Sequence, residues 1–470
     1  MSALLLPRQQ GLKHLFHLTV VLAVLGPTLG IPMPGFNMTL FRLVFLLLLT
    51  GVVVKCLSAS AYIPDLSHMS EIRWVLIFFA SWTAYGVVSL IWASHLGYGT
   101  RYVLFLGTML LLCLSFPYFL RTPDQIAQSG KVLFGVYSLI VVFGLIEALT
   151  YWHLPASRYY GTDSPHPTSF FTNQNDFATA ITLGLPFLIT AMYQRPLSIK
   201  WKGWIYTAGI IALCCLFLTG SRSNTGFVLP LILVACLVMI PLSVEREKRK
   251  LKHLLQGLGL AVMAGLIVFS LLSTVLSDQT RDKLGTTLGI LDDIQGSWQT
   301  SGGEGDEEWT ETASGDQSIS IRMNLMFNAL RFLADSGYFG VGAGNIEYHM
   351  QGAPGVKEKV NVHNWWLEVL VNFGVLVFLP YLFLYGWLLW QLFRLAWVKA
   401  SPHLPSTLRW GATGSLIALI GYGIGAMAPS TAIHFTPMWI VLGFALAVIA
   451  VGKRHIGKTG EEKNGEVAEG

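Results

Sequence analysis

The chain has 470 residues, of which 53% are apolar and 12% charged, with a formal net charge of +5. Soluble domains carry about a quarter charged residues, so this balance excludes an ordinary soluble enzyme. The basic residues border apolar runs instead of forming a patch or stripe, which excludes a nucleic-acid partner.

Apolar runs of roughly 17–25 residues recur along the chain, long enough to cross a hydrocarbon core about 30 Å thick. They are continuous, not alternating, which excludes a β-barrel. About twelve spans are expected, near residues 13–30, 38–57, 72–93, 100–120, 131–151, 175–193, 204–219, 224–243, 253–275, 363–395, 410–428 and 433–452. The first run is followed by Ile31-Pro32-Met33-Pro34 and not by a small-residue cleavage site, so it reads as a membrane helix. Cys56, Cys113, Cys214, Cys215 and Cys236 lie in or beside apolar runs with no CxxC or metal-ligand spacing, and read as small core residues.

The expected fold is therefore an all-α polytopic membrane protein. Residues 1–275 carry spans 1–9, 276–362 form one large loop, 363–452 carry spans 10–12, and 453–470 are a tail. An even number of spans puts both termini on one side. The loops and tails of that side hold about 21 Lys and Arg, against three in the short loops opposite (Arg101, Arg158 and Arg222). The bias makes the termini cytoplasmic and the large loop external.

Within that loop, Gly296 to Gln317 is rich in Gly, Ser, Thr, Asp and Glu and reads as flexible. The cluster Glu304, Asp306, Glu307, Glu308 lacks EF-hand spacing and reads as a solvated charge run, so no metal is expected. From Ser320, Met323, Met326, Phe327, Leu330 and Leu333 recur at helical spacing, predicting an amphipathic helix on the membrane surface that ends at Asp335-Ser336-Gly337. Gly340-Val341-Gly342-Ala343-Gly344-Asn345 does not satisfy GxGxxG and has no βαβ unit around it. It reads as a tight turn returning the chain to the membrane.

Several polar residues call for explanation. Arg222 sits between two spans with almost no loop, on the side where positive charge is disfavoured. A guanidinium locked there usually has an anionic partner, the other reading being a snorkelling anchor. Arg322 opens the loop helix, whereas Arg331, nine residues on, lies on the opposite face. His363 stands where the polar loop meets an apolar helix. It is either an interfacial cap or a proton acceptor whose neutral form a helix N-terminus favours. Asn364 follows it. Trp365 and Trp366 fit an interfacial aromatic belt or a sugar-stacking surface, and Glu368 is expected to find a partner within the bundle. The external segment 151–175 offers Arg158, Tyr159, Tyr160, Asp163 and His166. It then offers Asn173 and Asn175, which read either as helix caps or as ligands for phosphate and sugar hydroxyls.

Three blocks together resemble the O-antigen ligase and polymerase superfamily, which includes polymerases for teichuronic acid and other polysaccharides. They are Leu218-Thr219-Gly220-Ser221-Arg222-Ser223, then Arg322 with Asp335-Ser336-Gly337-Tyr338-Phe339-Gly340-Val341-Gly342-Ala343-Gly344-Asn345, and then His363-Asn364-Trp365-Trp366-Leu367-Glu368 with Phe373-Gly374. Asn173-Gln174-Asn175-Asp176 looks like a fourth, and the resemblance covers about residues 165–385. It implies a GT-C-like glycosyltransferase of the bacterial cytoplasmic membrane, without a nucleotide-sugar donor, cofactor or obligatory metal. The donor would be a glycan on undecaprenyl diphosphate and the acceptor a glycan or lipid-linked glycan. Arg222 and Arg322 would hold the diphosphate, and His363 would act as general base in an inverting transfer, with Arg158, Asn173, Asn175, Asn364 and Trp365 as further substrate contacts. Ser223-Asn224 departs from the small or apolar residues that often follow the arginine. The competing classes are a flippase for the same lipid-linked glycans and an assembly subunit. A flippase usually carries charge at mid-bilayer, whereas here the unusual polar residues gather at one end.

Overall fold

In an apolar medium every backbone N–H and C=O must be paired within its own segment, and the apolar runs satisfy this as helices. The computed structural model describes residues 5–33, 36–58, 66–245, 251–275, 317–429 and 433–469. The expected acidic run at 304–308 and the Gly/Ser-rich sequence around it lie outside the described residues. Helices α1 (Leu5–Leu25) and α2 (Leu40–Ser58) are joined by an antiparallel hairpin, β1 (Gly30–Met33) with β2 (Phe36–Thr39). Then follow α3 (Arg73–Val88), α4 (Leu96–Phe119), α5 (Pro123–Thr150), α6 (Gln174–Gln194), α7 (Ile199–Leu218), α8 (Leu229–Ser243) and α9 (Leu251–Val275). The large loop contributes α10 (Gln317–Asp335) and the short α11 (Asn345–Met350) before α12 (Trp365–Ala396), α13 (Ser406–Gly425) and α14 (Thr436–Glu469).

Each expected span coincides with one of these helices. Ten of the described helices are long and apolar enough to cross a membrane. The two expected spans that are not differ for physical reasons. In α1 the apolar stretch is only Gln10–Leu25, because Gly26-Pro27 ends the helix. Helix α13 is diluted by glycine and Ser/Thr because it is packed between other helices and meets little lipid. A Cβ on Gly414 would strike Phe187 of α6, one on Gly421 Ile232 of α8, and one on Gly411 Val448 of α14. The outer faces of α2, α3, α8, α9 and α12 instead expose Leu46, Ile77, Leu237, Phe269 and Phe383, as lipid-facing helices do.

Contacts between loops sort into two ends. At one end His166 Nδ1 meets the Leu218 carbonyl, His363 Nδ1 the Pro429 carbonyl, and Trp92 Nε1 the Gly340 carbonyl. At the other, Lys453 pairs with Glu71 at 3.1 Å and Arg195 bonds Thr407. Successive helices that run in alternating directions produce this partition.

The described part of the large loop has its own small core. Ile321, Leu325, Ala329, Phe332 and Leu333 of α10 are buried against Val341, Ile346, Met350, Val362, Leu367 and Val371. Helix α10 turns a second stripe toward this core. Its packed stripe is centred on Leu325 and Ala329, whereas Phe327 and Leu330 are exposed. The sequence contains both stripes, and packing on α11 and α12 selects the one centred on Leu325 and Ala329.

The glycine-rich segment turns as expected, and it also repairs a broken helix. Helix α12 is interrupted at Gly374 (φ 68°, ψ −175°). The carbonyls left open there are taken by Val341 N (to Val371 O, 2.9 Å) and Gly342 N (to Asn372 O, 3.1 Å), and Val375 N donates to Tyr338 O at 3.1 Å. So close an approach requires glycine on both sides. A Cβ on Gly340 would lie 2.5 Å from Gly374 N, and one on Gly374 would lie 2.4 Å from Tyr338 O. The wedge is also fixed to the α3–α4 corner by Trp92, by Ser89 Oγ accepting from Ala343 N, and by Asn345 Oδ1 accepting from His95 N.

Candidate active site

The loop-rich end brings His363, Arg322, Arg222 and Arg158 together from four separate segments. His363 precedes α12 in the left-handed region (φ 55°), an uncommon conformation for a residue with a Cβ and one that recurs at functional sites. Its Nδ1 lies 3.2 Å from the Pro429 carbonyl. A carbonyl only accepts, so Nδ1 carries the proton and Nε2 is left as the acceptor. Burial pushes the imidazole down from its ordinary value to about 4, and Arg322, Lys359 and Arg158 add to the effect, opposed by the Pro429 bond. The ring is neutral at neutral pH. Asn364 holds the following turn, its Oδ1 accepting from Trp366 N and Leu367 N.

Arg322 lies on the second turn of α10 and is half-buried. Burial, and then the charge of Arg222, push its guanidinium below the ordinary value. An anion beside Arg322 would relieve that cost. Arg331 is exposed against Phe332, on the other face of the helix as expected.

Arg222 follows a glycine turn (Gly220, φ 62°) and stands just before a π-helical segment, Asn224–Val228. Such segments recur at functional sites because the extra residue re-aims the side chains around it. Asn224 fixes this turn. Its Nδ2 donates to Ser221 Oγ (3.0 Å) and Thr179 Oγ1 (3.2 Å), and its Oδ1 accepts from Thr182 Oγ1 (3.2 Å). The unusual Ser223-Asn224 pair thus ties the base of Arg222 to α6.

The segment 151–173 closes the site from another side. Arg158 is exposed over Tyr159, and its charge reaches His363. Asn173 is the cap of α6, accepting from Asn175 N and Asp176 N while its Nδ2 donates to Asp176 Oδ2. Asn175, half-buried, stands on the first turn of α6. The segment is anchored by Glu147, a fully buried carboxylate near the end of α5. It accepts from Thr168 N, Thr168 Oγ1 and Ser169 N and pairs with His153 Nδ1 at 2.5 Å.

Trp365 is neither a belt residue nor a sugar platform. It is fully buried, donates from Nε1 to Tyr381 OH at 2.8 Å, and packs on Trp82 and Trp439, because the first turn of α12 already lies inside the bundle. Trp366 is partly buried and donates to the Gly423 carbonyl. Glu368 finds its expected partner in Tyr102, whose hydroxyl donates at 2.8 Å. The Pro429 carbonyl, Lys359 and Glu147 were not singled out from sequence. Only Glu147 left a signal there, as a carboxylate inside an apolar run.

Residues 207–382, which contain Arg222, Arg322 and His363, match the family model described as O-antigen ligase. The chain is thus similar to O-antigen ligases over this segment. It is 27% identical over 441 residues to the teichuronic acid biosynthesis protein TuaE of Bacillus subtilis (strain 168), an alignment covering 89% of this chain and 80% of TuaE. No solved structure matches significantly. The matched segment begins within α7 and ends within α12, so it spans the arginine turn, the whole large loop and the histidine.

Proposed function

We propose that this protein transfers a glycan from undecaprenyl diphosphate to a sugar hydroxyl at the outer face of the bacterial cytoplasmic membrane, during assembly of a cell-surface polysaccharide. One observation carries the reading. A histidine held neutral, with Nε2 open as an acceptor, stands within the electrostatic reach of Arg322, which in turn feels Arg222, at one end of an apolar bundle.

In the proposed reaction Arg222 and Arg322 grip the donor's diphosphate through charge-assisted hydrogen bonds. His363 Nε2 takes the proton from the acceptor hydroxyl as its oxygen attacks the anomeric carbon. The bond from that carbon to the diphosphate oxygen breaks, and undecaprenyl diphosphate leaves with the electron pair, its charge stabilised by the two guanidiniums. Attack from the face opposite the leaving group inverts the anomeric centre. A base at about 4 is weak for this task, and the substrate itself corrects it. The bound diphosphate cancels part of the positive field that depresses the imidazole, so basicity rises when the donor is in place.

The test uses the protein in lipid nanodiscs with an undecaprenyl-diphosphate oligosaccharide from the same organism, alongside His363→Ala and Arg222→Ala. A ladder of longer lipid-linked glycans, lost in both variants, identifies a polymerase. A single transfer to an added envelope acceptor identifies a ligase. Movement of the glycolipid across the bilayer without transfer to any acceptor overturns the reading in favour of a flippase.

A further inference from the structure

A cavity at the loop-rich end, of about 640 Å³, lies between the α3–α4 corner and the C-terminal end of α10. Its walls include Trp92, Phe332 and Phe339, and its polar groups include Ser94, Asp335 and His349. Trp92 is 42% and Phe339 59% exposed, so both present ring surface. The indole is held in place: Nε1 donates to the Gly340 carbonyl at 3.0 Å, and Tyr85 packs edge-on against it while donating to the Phe339 carbonyl at 2.9 Å. Ser94 Oγ and His349 Nε2 lie 3.1 Å apart at the polar side.

We propose that this cavity is an oligosaccharide subsite, holding the glycan of a substrate several sugar rings away from His363. The inference rests on the proposed transfer reaction. A pyranose has an apolar C–H face and a rim of hydroxyls, and the cavity offers fixed aromatic surface for the first and a carboxylate, hydroxyl and imidazole for the second. Rings already immobilised lose little freedom on binding. The position suits a chain that extends from the reaction centre. Asp335 and Arg322 stand on one helix thirteen residues apart, about 20 Å along its axis. An interfacial anchor for lipid would explain exposed aromatics, but not a concave site with polar groups at its edge.

The experiment measures binding of a lipid-free oligosaccharide, released by mild acid from the organism's own lipid-linked glycan, to the intact protein in nanodiscs. Calorimetry and saturation-transfer NMR report affinity and contact. Trp92→Ala and Asp335→Asn are each expected to weaken binding tenfold or more, Trp92→Phe to retain most of it, and His363→Ala to leave it unchanged. In the transfer assay Asp335→Asn lowers the ratio of long to short products. Wild-type affinity in Asp335→Asn, or no binding to the wild type at millimolar concentration, overturns the proposal. So does quenching of Trp92 fluorescence by brominated lipid. Asp335 is an exposed carboxylate, so its variant reports even if Trp92→Ala fails to fold. A wild type that binds the oligosaccharide but transfers nothing sinks the transfer reading alone. One that transfers, with variants that bind as it does, sinks the subsite alone.

Discussion

The acid limb of the transfer rate is the most direct reading of the site. The gap between an ordinary histidine at 6.5 and His363 at about 4 corresponds to about 3 kcal/mol in favour of the neutral ring, at about 1.4 kcal/mol per pKa unit. An ordinary imidazole is roughly three-quarters neutral at pH 7, whereas one at about 4 stays almost wholly neutral down to pH 6. In kcat/KM, which reports free enzyme, activity should therefore hold on acidification and fall with a midpoint near 4. The midpoint in kcat should be higher, because the bound diphosphate offsets the charge of Arg322. Arg322→Gln should raise the kcat/KM midpoint without bringing it to 6.5, because burial is the larger cause and remains. The measurement is initial transfer rate in nanodiscs across pH 4 to 8 at limiting and saturating donor, for wild type and Arg322→Gln. A wild-type limb at 6.5, or one that does not move in Arg322→Gln, refutes the electrostatic argument. His363→Ala should lose about 10²–10⁴ in rate, and a smaller loss refutes the role as base.

Other perturbations probe the scaffold and the anion site. Arg222→Ala and Arg322→Ala should each lower kcat by about 10²–10³, as removal of one donor to a developing charge does, and lysine at either position should restore part of it. Gly374→Ala forces a Cβ to 2.4 Å from Tyr338 O in a region nearly closed to other residues. It should lower the thermal midpoint and abolish transfer, whereas Gly386→Ala, with open space at its Cβ, should leave both intact. Glu147→Ala leaves His153 Nδ1 and two backbone N–H groups without that partner in a buried site and should destabilise by about 3–5 kcal/mol. Faster proteolysis within residues 151–173 would register that loss, and unchanged cleavage would refute the anchoring role. Acid stability should follow the same logic as the rate. Unfolded chains bind protons at His363 and His434 near 6.5 and the folded protein near 4, so stability falls as pH drops through that window and is unaffected above it.

The spans were legible, and Arg222, Arg322 and His363 stood out singly, because apolar length and anomalous charge are local properties of sequence; only the family resemblance joined the three residues in one proposed site. What could not be read depends on partners distant in the chain. The two apolar stripes of α10 are nearly equivalent until α11 and α12 supply a surface. Trp365 and Trp366 are adjacent in sequence, yet one is sealed among Trp82, Trp439 and Tyr381 and the other reaches the edge of the bundle. The carbonyl that fixes the tautomer of His363 belongs to Pro429, 66 residues away, and carries no side-chain signature at all. Asn173 and Asn364 show the opposite case, since their capping roles follow from position alone.

The break at Gly374 divides α12 into two pieces with different allegiances. The lower piece is a pillar of the bundle. The upper piece, which begins beside His363, is joined by backbone hydrogen bonds to the glycine wedge and shares a core with α10 and α11. His363 and Arg322 thus ride on one compact unit, clamped to the spans beneath it through Trp365, Glu368 and the α3–α4 corner. Sequence added upstream of α10 can lengthen the loop without disturbing that unit. Changes in lipid-facing helices can likewise tune the anchoring of the protein while the placement of His363 relative to Arg322 is kept by that unit's own core.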